Sequence, residues 1–567
     1  MTRSQVKGWA RALAAACVVG SLGLSAISSA GASSSSFTYN PAHAGGTLKL
    51  LATTAAGTLD PQVNYTLQYW QLYQATYDGL VAFQKYSGAD SFNVVPDLAA
   101  AMPTITNGGK TYTFTLRKGI KFSNGQAVTV NDVKASLERL FKVSNPNAGS
   151  WYNSIVGGNA CLTTPATCTL QGGVVVNAST NQIVVNLVAP DPEFLDQLAV
   201  PFGSILPASA PGKDAGTTPI PGTGAYMFSS YDPNHQLTMK RNPYFKVWSA
   251  AAQPQGYPNE IDMIFGNTVE SEVTQVENGQ GDWVFDSLPS DRLQLLSTKY
   301  ASQLHVNPLT AIWYVVMNTN LAPFNNLKAR QALNYALDKN SAVKLYGGTQ
   351  LAQPACTILP PGFPGHVNYC LYQKGTGSTY QGPDLAKAKA LVAASGTKGM
   401  SVGLVVTNDA VNSAVGQYIQ SVLNSLGYHA TLKPLSANIQ FTYIQNSKNK
   451  VQVSLSQWYQ DYPAASDFLK ILLSCSQFHP GNNNSINIAG YCNKALDAKM
   501  ATAETESITN PAKANMLWGT IDQAMMAQGA PWVPLFNPKL IDFVAKRVGN
   551  YQFSRQFYMY VDQLWVK

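Results

Sequence analysis

The amino-acid sequence predicts an α/β protein made of more than one packed domain. Its 567 residues, of which 45% are hydrophobic, are too many for one small core and too apolar for a disordered chain. In the C-terminal half, the apolar run 401–406 precedes apolar residues spaced three and four apart over 411–426, and the strand-like run 428–435 follows. This order forms a βαβ unit, whose right-handed crossover implies a parallel strand pair covered by a helix.

The remaining elements follow from the same rules in chain order. A strand begins near Gly45, and Tyr, Phe and Leu alternate with Thr over 111–116, which is the period of a half-covered strand. Asn131 is predicted to cap the next helix, because its side chain can accept a hydrogen bond from a free backbone amide. The sequence further predicts a strand at 182–188 and helices at 132–141, 384–395, 493–506 and 511–527.

The charge of the chain limits its partners. Charged residues make up only 12% of the chain, which argues against a coiled coil or an acidic-tail protein. The formal net charge is +8, and Arg3, Lys7 and Arg11 account for three of these charges in a stretch without acidic residues. Such a small excess gives no reason to expect a nucleic-acid partner.

The N-terminus has the three parts of a secretory signal peptide. A basic stretch ends at Arg11, an apolar run covers 12–27, and small residues follow to Ala32. The apolar run is shorter than the roughly twenty residues that span a bilayer, so we expect cleavage after Ala32 and no permanent anchor. The sequence thus predicts a signal peptide at 1–32, a disordered leader at 33–43, and a mature protein in the periplasm or on the outer face of the cytoplasmic membrane.

The cysteines predict disulfide bonds. After removal of the signal peptide six cysteines remain, and an even number in an exported protein suggests disulfides. Six cysteines allow fifteen connectivities, but short loops favour three pairs of sequence neighbours. The sequence has no C-x-x-C motif, which argues against redox catalysis and a zinc site. The favoured pairs are Cys161–Cys168, Cys356–Cys370 and Cys475–Cys492.

Two matches to catalytic or phosphate-binding motifs fail on their context. Residues 399–403 read G-x-S-x-G around Ser401, but a nucleophile elbow needs a strand before it and a helix after it, and here the order is reversed. Gly109-Lys110-Thr111 is followed by a strand instead of the helix of a phosphate loop. The six histidines are scattered without the spacing of metal ligands. We therefore expect no catalytic residue, no metal and no cofactor.

A series of short motifs in a fixed order gives the most specific signal in the sequence. They include Leu59-Asp60-Pro61, Tyr77-Asp78-Gly79-Leu80-Val81, Val95-Pro96-Asp97-Leu98-Ala99, Gly109-Lys110-Thr111-Tyr112, Pro221-Gly222-Thr223-Gly224, Arg241-Asn242-Pro243-Tyr244, Arg330-Gln331-Ala332-Leu333-Asn334-Tyr335-Ala336, Gln457-Trp458-Tyr459-Gln460-Asp461 and Ala530-Pro531-Trp532-Val533-Pro534. Each motif alone can arise by chance, but these motifs follow one another in a fixed order from residue 59 to residue 534, and the similarity covers roughly residues 44–567. In this order the chain resembles the family 5 extracytoplasmic solute-binding proteins, which include the dipeptide-, oligopeptide- and nickel-binding proteins of ABC importers.

The resemblance implies a two-lobed periplasmic-binding-protein type II fold with mixed sheets, two hinges and an extra subdomain inserted in the first lobe. The hinges are expected around 304–309 and 528–533, where Gly529 and two prolines suit a segment between two bodies. The predicted segments are lobe 1 at 44–305, its inserted subdomain at about 66–185, lobe 2 at 306–530, and a return to lobe 1 at 531–567.

By the same resemblance, the protein is expected to be the substrate-binding receptor of an ABC importer and not an enzyme. It would capture a peptide between the lobes by hinge closure and deliver it to the permease transmembrane subunits, and we expect it to be a monomer. Another solute, such as an oligosaccharide, a nickel chelate or an opine, remains an alternative. So does a function of a different class, a secreted hydrolase or an extracellular chaperone that reuses the fold.

The best local evidence about the ligand is a W-x-x-D segment. In peptide-binding members its aspartate pairs with the α-ammonium group of the ligand, and the resemblance gives this role to Asp461. Trp458 would line a side-chain pocket, and the backbone beside it, at Gln457 and Tyr459, would pair with an extended peptide. The alternatives are a loop-stabilising Asp461 and a core Trp458. Pro463–Asp467 departs from the usual Asp-Pro pair, and no motif identifies the residue that would hold a peptide carboxylate.

Overall fold

The computed structural model describes residues 39–143, 151–289, 291–483 and 485–566. The predicted signal peptide and residues 33–38 of the predicted leader lie outside this description. Residues 39–43 are ordered, in contrast to the predicted disordered leader. Pro41–His43 form a 3-10 helix, and the His43 ring stacks on Trp565 with centroids 4.1 Å apart. The stacking partner lies at the other end of the chain, so the local sequence gives no sign of this order.

The strands form one large mixed sheet and several small ones. In chain order they are β1 Thr47–Leu51, β2 Val81–Phe83, β3 Val94–Pro96, β4 Thr104–Thr106, β5 Thr111–Thr115, β6 Val174–Asn177, β7 Gln182–Asn186, β8 Tyr226–Asp232, β9 Gln236–Arg241, β10 Glu260–Ile264, β11 Trp283–Val284, β12 Leu304–Pro308, β13 Ala311–Met317, β14 Ala352–Pro354, β15 Ser401–Thr407, β16 His429–Leu435, β17 Val453–Tyr459, β18 Trp532–Val544, β19 Val548–Gly549, β20 Phe553–Ser554, β21 Tyr558–Met559 and β22 Trp565–Val566. The large sheet has the order β16-β15-β17-β13-β18-β11-β1-β10-β9-β8, and β12 and β14 also pair with β18.

The helices pack around these sheets. In chain order they are α1 Leu67–Thr76, α2 Val130–Lys142, α3 Gly158–Thr163, α4 Phe194–Ala199, α5 Val269–Glu277, α6 Leu293–Lys299, α7 Leu327–Ala336, α8 Lys339–Tyr346, α9 Leu385–Ser395, α10 Ala410–Ser425, α11 Ala437–Gln445, α12 Ser466–Leu473, α13 Lys494–Thr509 and α14 Pro511–Gln528. Within the described ranges, none of them combines the length and apolar character that crossing a bilayer requires.

The predicted α/β class is confirmed. β15 and β16 are parallel in continuous register from Ser401 opposite His429 to Thr407 opposite Leu435, and α10 connects them. The buried residues of α10, Val415, Ile419 and Leu423, lie on the face that packs on the sheet. The apolar spacing of three and four residues that predicted this helix is therefore the spacing of its contacts with the core.

The long strand β18 connects the two lobes. Its first part pairs with β13, where Val316 lies opposite Trp532, and its second part pairs with β12, where Leu304 lies opposite Phe543. The main cores are separate, one around β13, β15 and β17 and the other around β1 and β10. The chain thus crosses between lobes after β12 and again within β18, near Asn537. This second crossing is a continuous strand, and it lies later in the chain than the hinge predicted at 528–533.

The inserted part of lobe 1 has a sheet of its own. The strands β4, β5, β7 and β6 lie side by side within the range predicted for the insert, and α2 packs on them. Thr129 caps α2, not Asn131 as predicted. The Thr129 side chain accepts a hydrogen bond from the Asp132 amide, and the Asp132 carboxylate accepts one from the Thr129 amide at 2.8 Å. This reciprocal capping box satisfies two free amides, whereas Asn131 is the second residue of the helix and therefore cannot be its N-cap.

Three disulfide bonds close short loops. They join cysteines that are 7, 14 and 17 residues apart, and these are the sequence-local pairs that the spacing favours: Cys161–Cys168, Cys356–Cys370 and Cys475–Cys492. The first lies in the inserted part of lobe 1, and the other two lie in lobe 2.

Candidate functional site

A cavity of about 1400 Å³ lies between the two lobes. Lobe 1 contributes the loop before α1, the segment around Trp151, the residues before α4 and the second half of β18. Lobe 2 contributes the end of β17, the start of α12 and part of α13. The four site residues predicted from the sequence all line this cavity: Gln457, Trp458, Tyr459 and Asp461.

Asp461 follows the end of β17 and is held by three hydrogen bonds. The Tyr65 hydroxyl donates to the Asp461 carboxylate. The Asp461 amide donates to Asp467 Oδ2 at 3.0 Å, and Gln556 Nε2 donates to the Asp461 carbonyl at 2.8 Å. Because Tyr65 and Gln556 belong to lobe 1, Asp461 is a point of contact between the lobes.

The carboxylate of Asp461 forms no ion pair with any described residue. Burial raises the pKa of Asp461 to about 7, and the hydrogen bond from Tyr65 offsets only part of this rise. The pKa of Asp467 is raised well above its usual range, first by burial and then by the nearby charge of Asp461. Two desolvated carboxyl groups side by side favour a cationic partner, because a positive charge would stabilise their ionised forms.

The segment after Asp461, which departs from the Asp-Pro pair that the resemblance implies, has a structural role. Asp467 lies in the first turn of α12 and is buried, so its carboxylate is directed back to the Asp461 amide. Tyr462 also turns inward, and although it belongs to lobe 2 it packs in the core of lobe 1. The unusual segment therefore holds Asp461 in position and brings the two lobes together.

The strand β17 has a free edge beside Asp461. It pairs with β13 along its whole length, but β15 pairs only with Val453 and Ser454. Beyond these two residues, no strand in the described chain pairs with the other edge of β17, which continues to Tyr459. An extended peptide can add to such an edge as a further strand.

The side chains at the end of β17 have mixed roles. Trp458 is half-buried and packs against the core of lobe 2 while part of its surface lines the cavity. The two alternatives for this residue, core tryptophan and pocket wall, therefore both describe its position. Gln457 and Tyr459 are exposed, and Tyr459 shows 37% of its surface.

The lining of the cavity is acidic although the whole chain is basic. Lys470 and Lys539 are the two lysines among the described lining residues. Lys470 forms an ion pair with Glu504, and Lys539 Nζ donates to the Thr349 carbonyl at 2.8 Å. Seven described residues place carboxylates in the lining: Asp191, Glu193, Asp286, Asp461, Asp467, Glu504 and Asp542.

The lobe 1 side of the cavity cannot be recognised in the sequence. Tyr65 follows the Leu59-Asp60-Pro61 motif closely, but nothing in the local sequence relates it to Asp461. Glu193 and Gln556 lie in turns, and the sequence around them and around Trp151 has no recognisable pattern. These residues meet Asp461 and its neighbours only when the lobes come together, and a single sequence does not contain that information.

Comparison with known proteins identifies relatives over almost the whole chain. The family model described as "Bacterial extracellular solute-binding proteins, family 5 Middle" matches residues 93–480. The glutathione-binding protein GsiB of Salmonella choleraesuis is 27% identical over 508 residues, which cover 87% of this chain and 89% of that protein. GsiB of Escherichia coli strain K12 is 26% identical over the same shares of the two chains.

Solved structures share the fold. The clavulanic acid biosynthesis oligopeptide binding protein 2 superposes with a TM-score of 0.82 at 22% identity and covers 92% of this chain and 96% of its own. The periplasmic binding protein DppA from Helicobacter pylori, in complex with the peptide STSA, has a TM-score of 0.69 at 20% identity, with 92% and 98% covered. These neighbours confirm the two-lobed type II fold, and all the named relatives are binding proteins.

Proposed function

Because the chain belongs to family 5 of the bacterial extracellular solute-binding proteins, we propose that it is an exported receptor that captures peptides between its lobes and delivers them to an ABC permease. The observation that carries this proposal is the position of Asp461, a desolvated carboxylate without an ion-pair partner among the described residues, beside the free edge of β17. Together they offer a peptide an anchor for its ammonium group and a strand to pair with.

The anchor and the strand explain how one site accepts peptides of different sequence. An ammonium group makes charge-assisted hydrogen bonds with Asp461, and backbone hydrogen bonds to β17 do not depend on side-chain identity. At the other end of a peptide, Lys539 is the candidate partner of the carboxylate, because among the described lining residues it is the lysine that forms no ion pair. The sequence alone did not identify such a residue.

Contacts between the lobes support capture by closure of the two lobes. Tyr65 and Gln556 of lobe 1 contact Asp461 of lobe 2, and Ser466 Oγ of lobe 2 donates to Glu193 Oε1 of lobe 1 at 2.5 Å. A ligand that touches both lobes stabilises the closed state by its higher affinity for that state. The closed state would then be the form that the permease recognises. The signal peptide at 1–32 and a monomeric state remain part of this proposal.

The relatives named for glutathione binding suggest an alternative ligand. Glutathione is itself a small peptide with an ammonium group, so it fits the same anchor, but it carries two carboxylates. The acidic lining of this cavity opposes a second negative charge. We therefore favour peptides with fewer carboxylates than glutathione.

Isothermal titration calorimetry with short peptides tests the proposal. We expect saturable binding of one peptide per protein, with the peptide recovered at unchanged mass. Glutathione should bind more weakly than a neutral tripeptide of alanine. Binding of an oligosaccharide, an opine or a nickel chelate, with no binding of any peptide, would contradict the peptide assignment. Cleavage of the peptide would favour the hydrolase alternative.

The pH dependence of binding follows from the pKa of Asp461. Since the ionised carboxylate binds the ammonium group, protonation of Asp461 below its pKa of about 7 should weaken peptide binding. The loss should approach tenfold for each pH unit below that value, because the affinity follows the ionised fraction. Above about pH 8 the α-amino group of the peptide loses its own proton, so the affinity should be highest between these values.

An N-acetylated peptide is the matched control for this pH dependence. It lacks the ammonium group, so its weaker binding should not follow the titration of Asp461. Calorimetry across this pH range measures both ligands. An equal pH dependence for the free and the acetylated peptide would contradict the pairing of Asp461 with the ammonium group.

A further inference from the structure

Besides Asp461 and Asp467, one end of the cavity carries a second group of carboxylates, and one of them, Glu193, lies close enough to Asp467 to raise its pKa. Asp191 and Glu193 of lobe 1 precede α4, and Glu504 of lobe 2 lies on α13. Lys470 forms an ion pair with Glu504. Among the described lining residues, it is the one lysine at this end of the cavity. Three carboxyl groups therefore share one positive charge in a place that the two lobes enclose.

The raised pKa of Glu193 shows that the single positive charge of Lys470 does not balance the three carboxyl groups. Glu193 is only 9% exposed, and burial together with the charges of Glu504 and Asp191 raises its pKa to about 8. The hydrogen bond from Ser466 and the charge of Lys470 lower the pKa but do not restore its ordinary value. A further cation at this point would stabilise the ionised carboxylate.

An unpartnered acceptor lies beside the same group. Gln197 is on α4, one turn after Glu193, and is 8% exposed. Its Oε1 atom is buried and accepts no hydrogen bond from any described residue, and the residue lines the cavity. A buried acceptor without a donor is destabilising, so this end of the cavity favours a ligand group that donates hydrogen bonds. Ammonium and guanidinium groups do so and carry the missing charge.

Aromatic rings connect this end of the cavity with Asp461. Trp151 lies edge to face with Tyr462 at 5.7 Å and with Tyr65 at 6.1 Å, and Tyr65 in turn bonds to Asp461. The charges of Asp461 and Glu193 both raise the pKa of Tyr462, which is raised first by burial, so Tyr462 lies near both carboxylates. Aromatic walls suit the apolar stem of a long cationic side chain.

We propose that Asp191, Glu193, Gln197 and Glu504, here called the acidic end, bind the cationic side chain of a peptide that contains lysine or arginine. This inference rests on the proposed peptide function, with Asp461 as the anchor of the ammonium group. A peptide held at Asp461 would extend past Tyr65 and Trp151 and place a basic side chain at the acidic end. The receptor would thereby select basic peptides, although its backbone contacts ignore sequence.

A set of tetrapeptides tests this selectivity. Tetra-alanine is compared by calorimetry with the four peptides that carry a single lysine and the four that carry a single glutamate. We expect at least one lysine peptide to bind tenfold or more tightly than tetra-alanine, and the glutamate peptide of the same position to bind more weakly than tetra-alanine. Glu193→Gln should reduce the lysine preference to less than threefold, since glutamine resembles the carboxyl group in shape but cannot carry the negative charge of the carboxylate.

Two further variants make the test independent of the folding of one mutant. Glu504→Gln removes a carboxylate of the acidic end from the opposite lobe and should also reduce the preference. Glu260→Gln removes a carboxylate that pairs with Lys240 on the surface, and it should leave the preference unchanged. Titration with NiCl₂ alone is a further control, and tight binding of the metal without a lysine preference would overturn the proposal.

The outcomes separate this inference from the function on which it rests. If tetra-alanine and the lysine peptides bind equally well, the acidic end does not select a cation, and the peptide function stands. If no peptide binds, both the peptide function and the selectivity are wrong. A lysine preference that persists in both glutamine variants would place the cation elsewhere in the cavity and overturn the assignment.

Discussion

Replacing Asp461 by asparagine should weaken peptide binding by at least tenfold. The carboxylate lies in a desolvated site beside Asp467, and no described residue supplies a positive charge to it. Truncating one partner of a buried charge pair costs about 2–5 kcal/mol, which corresponds to roughly 30-fold or more in affinity. Calorimetry with a free-ammonium peptide measures the effect. Because the asparagine side chain can still accept a hydrogen bond from Tyr65, the variant should fold.

The control for this experiment is Asp232→Asn. Asp232 is exposed at the end of β8 in lobe 1, bonds to His235 at 2.7 Å and lies outside the cavity, so its substitution should leave the affinity unchanged. Thermal unfolding of both variants shows whether the fold persists. An unchanged affinity for Asp461→Asn in a folded protein would remove Asp461 from the binding site and leave it the role of a loop-stabilising residue.

Replacing Asp562 by alanine should destabilise lobe 1 by about 3–5 kcal/mol. Lys85 Nζ lies 2.9 Å from Asp562 Oδ2, and both side chains are only 1% exposed. The substitution would leave the Lys85 charge buried, with Gln253 Oε1 at 2.6 Å as its remaining side-chain hydrogen-bond partner. Lys85 belongs to the first segment of lobe 1 and Asp562 to the C-terminal segment. The substitution therefore tests the predicted return of the chain to lobe 1. Urea denaturation followed by tryptophan fluorescence measures the stability.

Glu260→Ala is the matched control for Asp562→Ala. Glu260 pairs with Lys240 at 3.5 Å, but both side chains are partly exposed, and an exposed pair contributes at most about 1 kcal/mol. The two substitutions therefore remove the same kind of partner from a buried and from an exposed lysine. Similar, small effects for both would mean that the C-terminal segment is not held on lobe 1 by the buried pair.

The sequence predicts elements that depend on local patterns. The helix α10 is recognisable because its core contacts recur at three- and four-residue intervals, and the disulfides join neighbours in the sequence. Thr129 was missed as the cap of α2 although its T-x-x-D pattern is present, since Asn131 offered a competing cap nearby. Local sequence patterns thus predict where a helix or strand lies, but they are less reliable in choosing between two nearby candidates for the residue that caps it.

The position of the second crossing depends on contacts between distant strands. Pro531, Pro534 and Pro538 suggest an interrupted segment, yet β18 continues through the last two. The pairing of β13 with β18 shifts register between Trp313 and Tyr314, and such an irregularity tolerates a residue without an amide donor. Whether these prolines end the strand depends on its pairing with β13. The local sequence around the prolines does not contain that information.

The candidate site likewise has a part that the sequence predicts and a part that only the folded structure shows. Asp461 and Trp458 could be selected because they lie in one recognisable segment, whereas Tyr65 and Glu193 come from other parts of the chain. The acidic character of the cavity was also hidden, because the net charge of the whole chain is +8. Only the folded arrangement brings the carboxylates of both lobes to one surface.

Native mass spectrometry of the purified mature protein, followed by denaturation, tests the central claim most directly. Any solute that leaves on unfolding is identified by its mass and fragmentation. We predict one peptide per protein molecule, with lysine or arginine enriched among the released sequences. Release of an oligosaccharide, an opine or a metal chelate in place of peptides would contradict the account and remove the ammonium-binding role of Asp461.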